Sequence, residues 1–121
     1  MPNPVGIDVF GNAPSYVFKP VKAVAITAAT PVAVWTPAAG KRFRLLGFCL
    51  MPTVAASILF EDATGGGNEF LRFPLTAAVP TAQVPVSLGT YGYLSLVVGN
   101  ALFLDVTATA TISGYVYGTE E

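Results

Sequence analysis

A chain of 121 residues is long enough for one domain to bury roughly two thirds of the surface its unfolded form exposes, so a single core suffices. Only 11% of the residues are charged while 53% are apolar; so few charges cover little of a monomer's surface, and part of that surface is expected to be buried by a partner. A net charge of −1, with Lys and Arg dispersed apart from Lys41, Arg42 and Arg44, leaves no electrostatic footprint for nucleic acid, and the absence of histidine removes the commonest general base and transition-metal ligand.

Pro2, Pro4, Gly6, Gly11, Pro14 and Pro20 punctuate the start of the chain, and the apolar residues between them follow neither a strand nor a helix period. Residues 1–20 therefore read as an extended N-terminal arm and 21–121 as the folded domain. Val5, Ile7, Val9, Phe10, Tyr16, Val17 and Phe18 are too many apolar side chains for a solvated linker, so the arm is expected to dock on its own domain or on a neighbour. No basic segment followed by an apolar one opens the chain, which predicts no secretory signal and a protein made in a cytoplasm. Every apolar run is broken by Pro, Gly or a charge before the ~18 residues of a membrane span, and no membrane partner is expected.

From Val21 onward, short β-branched and aromatic runs alternate with Pro, Gly, Asn and Thr clusters, the signal of an all-β sandwich or barrel. The predicted strands are Lys22 to Thr27, Val32 to Thr36, Arg42 to Met51, Ala56 to Glu61, Phe70 to Pro74, Gln83 to Ser87, Tyr93 to Val97, Ala101 to Thr107 and Thr109 to Gly118. Eight or nine short antiparallel strands suit a β-sandwich of jelly-roll type. Alternation places Phe43 and Leu45 opposite Arg42, Arg44 and Leu46, and assigns Leu102, Leu104 and Val106 to the core, with Phe103 and Asp105 outward. In the last strand Ile112, Gly114 and Val116 share one face, leaving Ser113, Tyr115 and Tyr117 on the other. The outer faces thus carry Phe103, Tyr115 and Tyr117 with hardly any Lys or Glu, which points to burial in an oligomer.

Few residues suggest chemistry. Cys49 is alone, excludes an intrachain disulfide, and reads as a small buried hydrophobe; with no histidine either, a zinc site has no ligands. Among the carboxylates only Glu61, Asp62 and Glu69 cluster, around Gly65-Gly66-Gly67, without the spacing of an EF-hand or a P-loop, and the segment reads as a hairpin loop. Glu120 and Glu121 merely end the sequence. Arg42 and Arg44 are expected to make intersubunit ion pairs with Asp105 or Glu61, and Trp35 to anchor a core or an interface. No catalytic residue, cofactor or metal site is expected.

The run from Ala38 through Gly40-Lys41-Arg42-Phe43-Arg44-Leu45-Leu46-Gly47 to Phe48, then Ser57 to Asp62, then Gly99 to Val106 leading into Ile112-Ser113-Gly114-Tyr115-Val116-Tyr117, resembles small β-sandwich virion proteins of tailed bacteriophages, of the capsid decoration (cement) or head-fibre type. The resemblance covers about Pro37 to Gly118. It implies a virion component on the capsid surface, commonly a homotrimer seated on the major capsid protein lattice; the apolar arm, the strand alternation and the arginine pair, not the resemblance, give Val5, Ile7, Val9, Phe10, Tyr16, Phe18, Arg42, Arg44, Phe103, Tyr115 and Tyr117 as candidate interface residues. The alternative is a carbohydrate- or receptor-binding module of a fibre or tail, which would need an aromatic platform, with Tyr91, Tyr93, Tyr115 and Tyr117 as its candidates.

Overall fold

A computed structural model describes residues 16–63, 68–75 and 85–121. Among the described residues the elements are nine strands: β1 (Tyr16–Ile26), β2 (Val32–Trp35), β3 (Phe43–Pro52), β4 (Ala56–Asp62), β5 (Glu69–Leu75), β6 (Val86–Ser87), β7 (Tyr93–Leu94), β8 (Leu102–Val106) and β9 (Ala110–Glu120). One sheet has the order β1-β9-β3-β6, with β7 following β6 along the same edge of β3; the other has the order β2-β8-β4-β5. All pairings are antiparallel. The first and last strands lie side by side and successive strands mostly switch sheets, which is the jelly-roll form of the sandwich. Among the described residues no helix is long and apolar enough to cross a membrane.

The core forms where the inner faces of the two sheets meet. Phe43, Leu45, Phe48, Leu50, Ile112 and Val116 of one sheet pack against Trp35, Ile58, Phe60, Leu102 and Leu104 of the other, all essentially inaccessible to solvent. Each such burial contributes about 1.5–3 kcal/mol. Aromatic rings tighten the middle: Phe48 lies 4.8 Å from Phe60 and meets Phe73 edge-on at 5.5 Å.

The core pattern breaks strict alternation where strands bulge. In β3, Leu45 faces Gly118 and Gly47 faces Tyr117, so Leu46 is an extra residue. The inward set consequently jumps from Phe43 and Leu45 to Phe48 and Leu50, an odd step that an unbroken strand forbids. In β5, the extra residue Phe70 brings Glu69 and Arg72 onto one face, where they form an ion pair at 2.9 Å despite standing three residues apart. In β1 the register shifts between Val21 and Val24, with Ala23 at φ 50°.

The boundary expected after Pro20 falls inside β1. Tyr16 to Pro20 pair with Thr119 to Tyr115, so these residues belong to the sandwich and not to a separate arm. Val5, Ile7, Val9 and Phe10 lie outside the described residues.

Candidate functional site

β9 sits between β1 and β3, and its outward residues organise the outer face of that sheet. The register sets Tyr16 beside Thr119 and Arg44, then Phe18 beside Tyr117 and Gly47, then Pro20 beside Tyr115 and Cys49, and finally Ser113 beside Met51. Tyr16 and Phe18 are 60% and 63% exposed, unusual for such large rings. Phe18 stacks on Tyr115 with centroids 4.6 Å apart, and Tyr115 lies 6.1 Å from Tyr117. Gly47 is required beneath this row, because a β-carbon there would collide with the Tyr117 hydroxyl and the Val86 carbonyl. Cys49 is half-buried on this outer face, not a core residue; burial, together with the Cys49 sulfur against its hydroxyl, pushes the Tyr115 phenol up.

The face carries few charges: Lys22, exposed at the β1 bulge opposite Ser113, and the Arg44–Glu121 pair. Arg44 is buried and committed within the chain: Nε and Nη2 grip the Glu121 carboxylate, and Nη1 donates to the Tyr91 carbonyl at 2.7 Å. This corrects the expected pairing with Asp105 or Glu61. Burial would raise the Glu121 carboxyl, but the Arg44 hydrogen bond is stronger and, with that from Thr119, holds it below the usual range. Glu120, which alternates inward, accepts from Trp35 Nε1 at 2.9 Å and Ala38 N–H at 3.2 Å. The two terminal glutamates therefore tie elements together, a role that nothing in their sequence position signals.

The remaining candidates lie elsewhere. Phe103 is half-buried on the outer face of the second sheet, remote in register from Tyr115 and Tyr117. Asp105, expected outward, is buried there and accepts the Val106 N–H at 2.8 Å; Glu61 is buried on the same face. Arg42 is half-exposed ahead of β3, its backbone paired with Glu121.

Asp62 ends β4 on the inner side, under an open concavity of about 550 Å³ whose walls include Glu69, Phe70, Tyr93 and Leu96. The carboxylate accepts four hydrogen bonds: Ser95 Oγ at 2.7 Å and Asn100 Nδ2 at 2.9 Å on Oδ1, Leu96 N–H at 2.7 Å and Tyr93 Oη at 2.9 Å on Oδ2. Burial would raise its pKa, yet these bonds outweigh it and hold the group below the usual carboxylate range. Tyr93 is pushed up to about 12 by burial and by that same carboxylate. A carboxylate has about four lone-pair positions, so Asp62 has none left for a metal or for a substrate proton. Glu69 is held by Arg72. Among the described residues no three His, Cys, Asp or Glu side chains are grouped to hold a metal.

Nor do the four tyrosines form one platform. Tyr93 stacks on Phe70 at 3.7 Å in the wall of the concavity, Tyr91 projects from a turn, and of the four only Tyr115 and Tyr117 are neighbours on the outer face. Sequence reasoning found Tyr16, Phe18, Tyr115 and Tyr117, which the structure gathers on one face, and missed the Asp62 network. The chain matches no protein-family model, no curated protein and no solved structure.

Proposed function

We propose that this chain is a structural protein of a virion, a capsid decoration or cement protein that works by packing its outer β1-β9-β3 face against other protein subunits. The observation that carries the reading is that face: a row of four aromatic residues, two of them more than half exposed, with its single arginine already neutralised. Tyrosine-rich, charge-depleted surfaces are the composition of interface centres. The blunted edge of the same sheet adds to it. β1 carries Lys19, Pro20, Lys22 and the Ala23 bulge along its unpaired side, features that discourage a further strand from adding there, so contacts are directed to the face. The jelly-roll order and the resemblance of the segment from Pro37 to Gly118 to phage decoration proteins support the virion setting.

Sugar binding has less support. A carbohydrate site uses amides or carboxylates placed beside its aromatic platform, and the outer face offers only hydroxyls next to Tyr115 and Tyr117. On a shell, many copies held at high local density would bridge neighbouring capsomers through contacts that are individually weak. Mass spectrometry of density-purified virions that encode this gene tests the proposal. The chain should be present in many copies per particle; its absence from purified particles overturns the reading.

A further inference from the structure

We infer that the concavity beside Asp62, at the end of β4, binds a small organic ammonium group, that of a lysine side chain or of a free amine, a role separate from packing through the outer face. Its volume of about 550 Å³ lies in the range of small-molecule sites. Asp62 brings to it a charge that no Lys or Arg balances. The four donors that hold this carboxylate, from Tyr93, Ser95, Leu96 and Asn100, are all neutral. All six Lys and Arg fall among the described residues, and none pairs with Asp62: Arg72 holds Glu69, Arg44 holds Glu121, and Lys19, Lys22, Lys41 and Arg42 make no ion pair among those residues.

The hydrogen-bonding groups select the guest. Those four donors are spent on Asp62, while acceptors remain in the wall. Arg72 takes two of the about four lone-pair positions of the Glu69 carboxylate, and Asn100, whose Nδ2 faces Asp62, keeps its Oδ1. An ammonium group donates and does not accept, so it suits such a wall; an anion is repelled, and a neutral guest gains nothing from the charge. Phe70 and Tyr93, stacked at 3.7 Å and 3° from parallel, add an aromatic wall that attracts a cation. Because Asp62 is saturated it acts through its field, and direct contact falls to Glu69, Asn100 and the rings. The concavity is open, so solvent and salt screen part of this attraction and the affinity is about millimolar.

Amide NMR of the isotope-labelled full chain tests this, with spermidine, Nα-acetyl-lysine N-methylamide and the uncharged norleucine analogue each added to about 20 mM. The Glu69, Tyr93, Leu96 and Asn100 amides should shift with an amine, half-saturating at about 1 mM, and the norleucine analogue should bind at least about tenfold more weakly. Shifts from the lysine probe, with or without spermidine, open the site to lysine side chains; shifts from spermidine alone confine it to free amines. Two substitutions in the exposed Glu69–Arg72 pair, which contributes little to the fold, should act in opposite directions. Glu69→Gln should weaken amine binding about threefold, and Arg72→Gln, which releases the Glu69 carboxylate, should tighten it about threefold. No shift with either amine, a norleucine analogue that binds as well, or two variants that leave the affinity unchanged or move it the same way each overturns the inference.

Discussion

Four donors converge on the Asp62 carboxylate, and two of them, Leu96 N–H and Asn100, belong to the loop that carries three exposed apolar residues, Leu96, Val97 and Val98. Without that acceptor the loop would lose the bonds that fix it and the buried Ser95 hydroxyl would lose its main partner. Asp62→Asn keeps the shape but replaces one acceptor oxygen with a donor, setting donor against donor. It should cost about 3 kcal/mol, and the urea midpoint should fall by about 2 M with little change in slope. The pH dependence has a definite sign. Asp62 and Glu121 both have folded-state pKa values below their unfolded ones, so the unfolded chain binds more protons in acid. Their stabilisation is complete above about pH 4.5 and is lost as pH falls through the depressed folded values. Urea midpoints measured between about pH 6 and pH 3 should therefore decline, and the decline should be shallower in Asp62→Asn, which has lost one of these titrating groups.

At the scale of elements, the bulges decide which side chains the core receives. Leu46 is the clearest case: it is the extra residue, and deleting it would leave β3 with an unbroken alternation in which Phe43, Leu45, Phe48 and Leu50 all still face inward. A Leu46 deletion should therefore keep a cooperative thermal transition and lower its midpoint by what the loss of one buried leucine costs, about 2–3 kcal/mol; loss of the cooperative transition would show that the bulge itself holds the β3 register. Gly114 tests a neighbouring constraint. It sits at φ 133° with the Cys49 carbonyl where a β-carbon would stand, so Gly114→Ala should lower stability by about 3 kcal/mol, read by thermal denaturation. These strands also show what was legible in advance. Element type and order followed from the spacing of Pro, Gly and β-branched runs, and the inward residues of β8 from simple alternation, because β8 carries no extra residue. The inward set of β3 beyond Leu46 did not follow, since a bulge is set by the partner strand and leaves no mark in local sequence. The run Tyr93 to Val97 reads as one strand, yet β7 stops at Leu94 because the Leu96 N–H is taken by Asp62. Tyr16 to Pro20 hid their strand behind Pro20, which is tolerated because β1 lies at the sheet edge.

Across the whole molecule, the two sheets are joined by the core and, at the end where β9 finishes, by polar ties. Glu120 reaches from the first sheet to Trp35 on the second, and Glu121 holds Arg44 beside it. Tyr115 and Tyr117 are legible in the sequence because they alternate along one strand, whereas Tyr16 and Phe18 stand in a segment without a strand period, and these ties join residues more than seventy positions apart and have no local signature. Their energetic weights should differ. Arg44 is the more buried member of its pair, so removing Glu121 leaves a guanidinium whose remaining bond is to the Tyr91 carbonyl. Glu121→Gln should therefore cost about 2 kcal/mol, more than an exposed ion pair contributes. Glu120→Gln preserves an acceptor for the indole N–H and should cost less than about 1 kcal/mol. Trp35, the single tryptophan, is buried against Phe43 at 5.6 Å and reports opening at this end directly. Its fluorescence should shift red on urea unfolding at a midpoint lowered clearly in Glu121→Gln and slightly in Glu120→Gln. Equal midpoints for the two variants would show that Arg44 finds another partner once Glu121 is gone.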